Sequence, residues 1–358
     1  MKVLILNNHF NAGGIVTYIL NLSRGLGEIG VDVTVASSGG NMEGLLKAEH
    51  VKIPLNTKSE ISPKLYFSYR KLKPLLKSID IIHANTRITR RLSRYMSVKT
   101  GLPYVSTIHG YHKPKLKNRI FPYWGSEVIA VSGFVKQHLV ADFKIKSEDV
   151  DVVYNGIDLD SFRNFSGDKE KMKSDLHLSG SFLITAIARL SDVKGFQYLL
   201  RAFKTFTQKY QDAVLLIAGE GREKERIKQL INSFNLNSKV KLLGLLKDIR
   251  PLLDAADIFI HSSIVEGLGI SIIEALAVKK PVVATFAGGI PEIIKNNYNG
   301  VLVEPCNSSA LAAALLKIRE DSGFKEFLVK NTASGIEKFD YKLMAEKTYQ
   351  VYKKVLEK

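Results

Sequence analysis

Residues 255–292 read AADIFIHSSIVEGLGISIIEALAVKKPVVATFAGGIPE. The apolar run at 257–261 predicts a buried strand, Glu266, Gly267, Leu268 and Gly269 a turn, and the residues from about Ile270 an apolar helix. A second strand follows over 281–285. Glycines at a strand-to-helix turn let another molecule approach the backbone, and the first free N–H groups of the helix point at that molecule. Such a helix start attracts phosphate. Two carboxylates flank it: Glu266 in the turn, and Glu274 roughly one helical turn inside at about 1.5 Å per residue. Like charge bars both from serving a phosphate, whereas both suit accepting hydrogen bonds from sugar hydroxyls. The same acids also fit a helix start that complements its own dipole, and this segment alone carries both readings.

A length of 358 residues suits two domains of about 150–200 residues, and 45% hydrophobic content supports full cores. No apolar run reaches the roughly 18 residues of a membrane-spanning helix. The start, MKVLILNNHF, turns polar too quickly for a signal peptide and reads as a first strand. The single cysteine, Cys306, excludes an intrachain disulfide and a cysteine-cluster metal site, and fits a reducing compartment. The expected location is the cytoplasm. The net charge of +17 is uneven: from Lys64 to Arg119 there are 14 Lys and Arg and one acid, Asp80. That segment points to an anionic surface or substrate, whether membrane lipid, nucleic acid or an acidic glycan.

In chain order, a strand at 2–6, the loop NNHFNAGG with Gly13 and Gly14, a helix at 15–28 facing Val16, Ile19, Leu20, Leu22 and Leu26 inward, and a strand at 31–37 open a parallel α/β unit. The loop lacks G-x-G-x-x-G, which disfavours a nicotinamide or flavin cofactor. Strands are expected at 51–55, 80–84, 104–109, 127–132 and 151–154. The stretch 63–78, PKLYFSYRKLKPLLKS, is basic and amphipathic, with Pro74 kinking or ending its helix. It reads either as a membrane-surface helix or as a helix packing Leu65, Phe67 and Leu72 on a sheet. Ile120, Phe121, Tyr123 and Trp124 follow another basic cluster and suit an interface or a loop folded on the core. The linker is placed at 164–173. A second series of strands follows at 182–190, 213–219, 239–243, 257–261, 281–285 and 301–304, with helices such as 197–209 and 222–234. The expected domains are 1–163 and 164–340, both doubly wound with a cleft between them, and a last helix at 341–358 that crosses back to the first.

In such sheets ligands lie beyond the C-terminal strand ends. Those ends carry Arg189 and Lys194 in RLSDVKG, Gly219 in GEG, the turn from Glu266 to Glu274, and Gly288, Gly289 and Glu292 in FAGGIPE. Two cations beside glycine turns can bind a diphosphate and stabilise its departure without a metal.

These motifs, with NNYNGVLVEP and, in the first half, AGGIVTYILNLSRGL, STIHG, VIAVS and YNGID, strongly resemble the retaining GT-B glycosyltransferases of family 4 over nearly the whole chain. The resemblance implies two facing Rossmann-like domains, a C-terminal one holding a nucleotide-sugar donor and an N-terminal one the acceptor. By position, Arg189 and Lys194 would neutralise the diphosphate, Glu274 would hold the ribose, and Glu266 would lie near the donor sugar. Gly267, Leu268, Gly269 and Ile270 would contact sugar or phosphate through their backbone. Gly13 and Gly14 would approach the donor phosphate or the acceptor, and His109 would touch the donor sugar near the reaction centre, in an orienting role or, as the alternative, as a general base. Ala188 and Leu268 stand where the family commonly has Gly and Phe, which bears on donor preference. No carboxylate pair for double displacement is evident, so a same-face substitution is implied, in which the leaving phosphate takes the acceptor proton. Neither a metal nor any other cofactor is expected.

The reading is therefore a retaining transferase. It uses a UDP-sugar, or GDP-mannose as the alternative, and acts on a lipid-linked or surface glycan at the inner face of the membrane. The basic Lys64–Arg119 segment would touch the anionic lipid. A catalytically silent scaffold of the same fold is disfavoured by the intact Arg189, Lys194, Glu266 and Glu274. A nucleic-acid-binding protein is disfavoured because no reading element accompanies the charge.

Overall fold

The computed structural model describes residues 1–55, 62–114 and 123–358. Lys115, Lys117, Arg119, Ile120 and Phe121, for which surface roles are expected from the sequence, lie outside the described residues. The chain divides into two compact units, Met1–Ile157 with Lys338–Lys358, and Asp158–Glu337. The break precedes the short helix Leu159–Arg163, which Asp158 caps by accepting from the Ser161 N–H at 3.1 Å.

The first unit is a seven-stranded parallel sheet in the order β3-β2-β1-β4-β5-β6-β7. Its strands are β1 Lys2–Leu6, β2 Asp32–Ser37, β3 Glu49–Lys52, β4 Ile81–Ala84, β5 Tyr104–Ile108, β6 Glu127–Ala130 and β7 Val150–Val152. β1 pairs in register with β2 on one side and β4 on the other. The central strands are buried on both faces, hence near-continuous apolar runs such as VLIL in β1. Helices α1 Gly14–Glu28, α2 Pro63–Leu72, α3 Arg87–Thr100 and α4 Gly133–Phe143 supply the crossovers. α3 begins with a Thr86/Thr89 capping box and stops at Gly101 in the left-handed conformation.

Three local expectations need correction. β3 occupies Glu49–Lys52 rather than 51–55, because Pro54 cannot donate to the ladder and the Leu55 N–H turns back to Ile53 O at 2.8 Å. The charged linker contains a helix, Lys169–Asp175, started by Asp168 accepting from the Lys171 N–H at 2.8 Å. On α2, Leu72 is buried and Leu65 half-buried as expected, but Phe67 is 57% exposed. Phe67 stands about 140–160° from Leu65 and Leu72 around a helix that turns by roughly 100° per residue. The helix ends before Pro74, and a 3-10 turn over Leu75–Ser78 leads into β4. Trp124 lies under the Arg90 guanidinium, 4.4 Å from ring centroid to carbon, and packs edge-on against Phe143.

The second unit is a six-stranded parallel sheet ordered β10-β9-β8-β11-β12-β13: β8 Phe182–Ile187, β9 Ala213–Ala218, β10 Val240–Gly244, β11 Ile258–His261, β12 Val282–Thr285 and β13 Val301–Val303. The helices α5 Phe196–Lys209, α6 Lys224–Ser233 and α7 Ile270–Ala277 lie between successive strands, and α8 Ser308–Glu320 follows β13. α5 buries Leu199, Leu200, Phe203 and Phe206 against the sheet, the 3.6-residue stripe of a helix packed on one face. The last helix, α9 Tyr341–Leu356, belongs to the first unit, where Tyr341, Met344, Ala345 and Tyr352 share a core with Tyr18, Ile19 and Leu22 of α1. Among the described residues no helix is long and apolar enough to cross a membrane.

Candidate functional site

Both sheets reverse direction next to their first strand, between β1 and β4 and between β8 and β11. At such a switch point neighbouring connections leave on opposite faces and open a crevice beyond the C-terminal strand ends. In the second unit four consecutive strand ends, those of β9, β8, β11 and β12, carry the sequence's candidates, and their loops are laced together. The Leu190 N–H donates to Glu220 O at 2.9 Å, and Ile264 N–H donates to Val193 O at 2.8 Å. Ser262 Oγ donates to Lys194 O at 2.9 Å. Gly288, with φ of 56°, brings the β12 loop so close to Glu266 that an added Cβ would stand 1.8 Å from Glu266 O.

Glu266 sits at the switch point and collects donors from two loops. Lys194, from the loop after β8, donates to Oε2. His261 Nε2, at the end of β11, lies 2.8 Å from the same oxygen, and Ser263 Oγ donates to it at 3.1 Å. The Gly267 N–H donates to Oε1 at 3.2 Å. Burial opposes ionisation of this carboxyl. The charge of Lys194 and the hydrogen bond from His261 outweigh that opposition and hold it well below the usual carboxylate range. Burial in turn holds the His261 imidazole below its ordinary value. An ionised carboxylate only accepts, so the His261 proton sits on Nε2, leaving Nδ1 to accept from Ser271 Oγ at 3.4 Å.

Glu274 is different. It lies on α7, whose start is capped by Gly269 (φ 108°) without a side-chain bond to the first N–H groups. Glu274 is buried, its carboxyl has no hydrogen-bond or ion-pair partner among the described residues, and burial alone pushes its pKa up to about 7. A buried polar group without a partner is costly, and hydroxyl donors from a ligand would remove that cost. Arg189, just beyond β8, is exposed and forms no ion pair among the described residues. Gly219 follows β9, its N–H donating to Gly244 O at 2.7 Å. Leu268 is buried in the turn before α7. Thus Lys194, Glu266, Gly267, Leu268, Gly269, Ile270 and Glu274 belong to adjoining loops and one helix, while Arg189 and Gly219 stand on the neighbouring strand ends.

The remaining candidates are in the first unit. Gly13 caps α1 with open space where a Cβ would stand, and Gly14 is the first residue of that helix. His109 follows β5 with Nε2 3.1 Å from Asn85 Oδ1, and its ring meets Tyr18 edge-on at 4.7 Å. Burial, with the nearby His83, His112 and Arg90, pushes His109 down to about 3. It is a neutral imidazole at physiological pH, poorly matched to taking a proton and well matched to hydrogen bonding.

The sequence reading missed His261, Ser263 and Asn85. His261 closes an apolar run and reads as the last residue of a strand. Applied to β11, the strand-end rule that found Arg189 would also have found the polar triplet His261, Ser262 and Ser263. Asn85 stands directly after β4, where the same rule applies; it is buried and its Nδ2 donates to Leu6 O at 3.3 Å.

Residues 168–334 match the family profile of glycosyl transferases group 1, and residues 12–161 match that of glycosyltransferase family 4. The chain is 27% identical over 372 residues to an uncharacterized glycosyltransferase of Methanocaldococcus jannaschii, spanning 96% of this chain and 95% of that one. It is 24% identical over 368 residues to the GPI3 subunit of Saccharomyces cerevisiae phosphatidylinositol N-acetylglucosaminyltransferase, spanning 95% and 79%. The crystal structure of Anabaena HepE in complex with UDP and glucose superposes with a TM-score of 0.88, at 24% identity and 99% coverage of both chains. Two parallel α/β units and two family profiles that together span nearly the whole chain give one assignment: the protein is a glycosyltransferase and belongs to the group 1 enzymes of GT-B fold.

Proposed function

We propose that the protein transfers a sugar from a nucleoside-diphosphate donor, with retention of anomeric configuration and without a metal, to a lipid-linked glycan or glycolipid. The observation that carries the donor reading is Glu274, buried and unpartnered on the helix whose uncapped start adjoins Lys194 and Glu266. Ribose hydroxyls would donate to Glu274 and favour its charged form. The diphosphate would lie on the α7 start with Lys194 and Arg189 carrying its charge, so that the nucleotide leaves as a stabilised anion. Glu266, held as a carboxylate, would face the donor sugar through the turn at Gly267–Ile270. His109 orients rather than accepts a proton, and the departing phosphate takes the acceptor's proton in a same-face substitution. UDP-sugars are the first donors to test, because HepE, alike in fold, was crystallised with UDP and glucose; GDP-mannose is the alternative. The test is nucleotide release from UDP-glucose, UDP-N-acetylglucosamine and GDP-mannose, in EDTA, with NMR of the product anomer. Release from one donor in chelator supports the reading. Release from none favours a silent scaffold.

The acceptor part rests on the surface of the first unit. On α2 and α3 the exposed residues Tyr66, Phe67, Tyr95 and Val98 stand among Arg70, Lys71, Lys73, Lys77, Arg94 and Lys99, and these six cations form no ion pair among the described residues. Several exposed cations of the second unit are instead paired, as in Lys209–Glu320, Lys224–Glu220 and Lys228–Glu225. Six such cations with protruding aromatics fit an anionic bilayer, where the rings enter the headgroup region and each cation near the surface adds about 1 kcal/mol. The yeast relative is by name part of a phosphatidylinositol glycosyltransferase. Sedimentation with phosphatidylglycerol vesicles, phosphatidylcholine vesicles or duplex DNA at equal salt separates the outcomes. Binding to the anionic vesicles above both others supports membrane docking, and preference for DNA overturns it.

A further inference from the structure

We propose that His261 is a positioning residue that keeps the Glu266 carboxylate fixed at the donor site, with Ser263 as its second hand. The inference rests on the transferase reading above and concerns what holds Glu266 once a donor is bound. Oε2 receives Lys194, His261 and Ser263, whereas Oε1 receives the Gly267 N–H. Of these, Lys194 is the group a diphosphate competes for. Two phosphate groups carry more negative charge than one carboxylate, and the lysine head is a mobile point charge on a flexible stem. If Lys194 turns towards the donor, Glu266 keeps its place only through the uncharged donors.

The surroundings of His261 suit that task. Its side chain is 4% exposed, so the ring cannot swing into solvent. Nδ1 accepts from Ser271 in the first turn of α7 at 3.4 Å, which sets the ring orientation and leaves the proton on Nε2. Ser263 Oγ, 2.9 Å from Nε2 and 3.1 Å from Glu266 Oε2, bridges the two. Thr285 Oγ1 of β12 donates to Ser263 O at 2.5 Å, fixing the Ser263 backbone to the next strand. Glu266 is thus tied to β11, β12 and α7 without reference to Lys194. A hydrogen-bonded second layer of this kind orients a functional group at little cost on ligand binding.

The test uses the full chain and nucleotide release from the UDP-sugar or GDP-mannose that the wild type turns over best. His261→Leu removes the donor. His261→Gln returns an N–H near the place of Nε2. For His261→Leu we expect kcat to fall at least about tenfold, with the Kd for the free nucleotide within about twofold of wild type, and for His261→Gln the recovery of most of that loss. A merely structural histidine would move Kd and melting temperature with kcat and would not be rescued. Should His261→Leu fail to fold, Ser263→Ala removes the second donor to the same oxygen, and the same split is expected in smaller measure. An active wild type with His261→Leu and Ser263→Ala both within twofold of it in kcat overturns the positioning role alone. A wild type that releases nucleotide from no donor overturns the transfer reading on which it stands.

Discussion

Glu274 makes the apo protein sensitive to pH in a defined direction. Its pKa stands at about 7 in the folded chain against 4.5 for the free side chain. The folded state therefore binds more protons than the unfolded state between those values, and stability falls as pH rises from 4.5 through 7. The integrated loss is about 3 kcal/mol, at about 1.36 kcal/mol per unit. Chemical denaturation of apo wild type at about pH 5 and pH 8 should show this fall relative to Glu274→Gln, which has no proton to lose. Bound nucleotide should flatten the wild-type slope, because donors from the ribose favour the anion. Gly288 gives a second expectation. Its left-handed backbone costs any other residue about 1 kcal/mol, and a Cβ would collide with Glu266 O. Gly288→Ala should cost about 2–4 kcal/mol in denaturation midpoint analysis and weaken nucleotide binding, since the loop that must move leads into the start of α7.

At the scale of elements, α9 completes the first unit. Tyr352 OH stands 2.6 Å from His83 Nδ1, while His83 Nε2 stands 2.7 Å from Thr107 Oγ1, all within the core. The buried Glu127 on β6 pairs with Lys354 at 3.1 Å and Lys358 at 2.5 Å, so the end of the chain also neutralises a charge that the sheet has buried. Tyr352→Phe should cost about 1–3 kcal/mol by denaturation, the price of a buried imidazole nitrogen without a partner. On α2, Phe67→Ser should lower binding to phosphatidylglycerol vesicles several-fold while leaving nucleotide release in solution unchanged. The strands were legible in the sequence because a parallel sheet buried on both faces writes itself as VLIL or AVLLIA. The helix at Lys169–Asp175 was not, because KEKMKSD has no apolar stripe and only its Asp168 cap marks it. Phe67 shows the limit of pattern reading on a short helix. Leu65, Phe67 and Leu72 all count as apolar, and only the step of roughly 100° per residue separates the outward ring from the inward pair. In the site, Lys194 and Glu266 stand out in the sequence because charges in loops beyond strand ends need a reason, and Glu274 because it is the one acid inside the apolar helix ISIIEALA. His261 was hidden because a histidine at the close of IFIH looks like the last residue of a strand.

Across the whole molecule, the first unit holds the exposed cations Arg70, Lys71, Arg94 and Lys99 of α2 and α3, and the second holds the laced strand-end loops around Glu266 and Glu274. Raising salt from about 50 to about 300 mM should therefore release the protein from anionic vesicles, since the Debye length shortens below about 10 Å. It should leave nucleotide affinity less affected, because the partly buried Lys194 is screened less than surface cations. In the proposed function a nucleoside diphosphate binds the second unit through Glu274 and Lys194. The most direct measurement is thermal stabilisation of wild type and Glu274→Ala by UDP, GDP and ADP. One nucleotide should raise the wild-type melting temperature by several degrees and leave Glu274→Ala unmoved. Equal stabilisation of both proteins, or none of either, would contradict it.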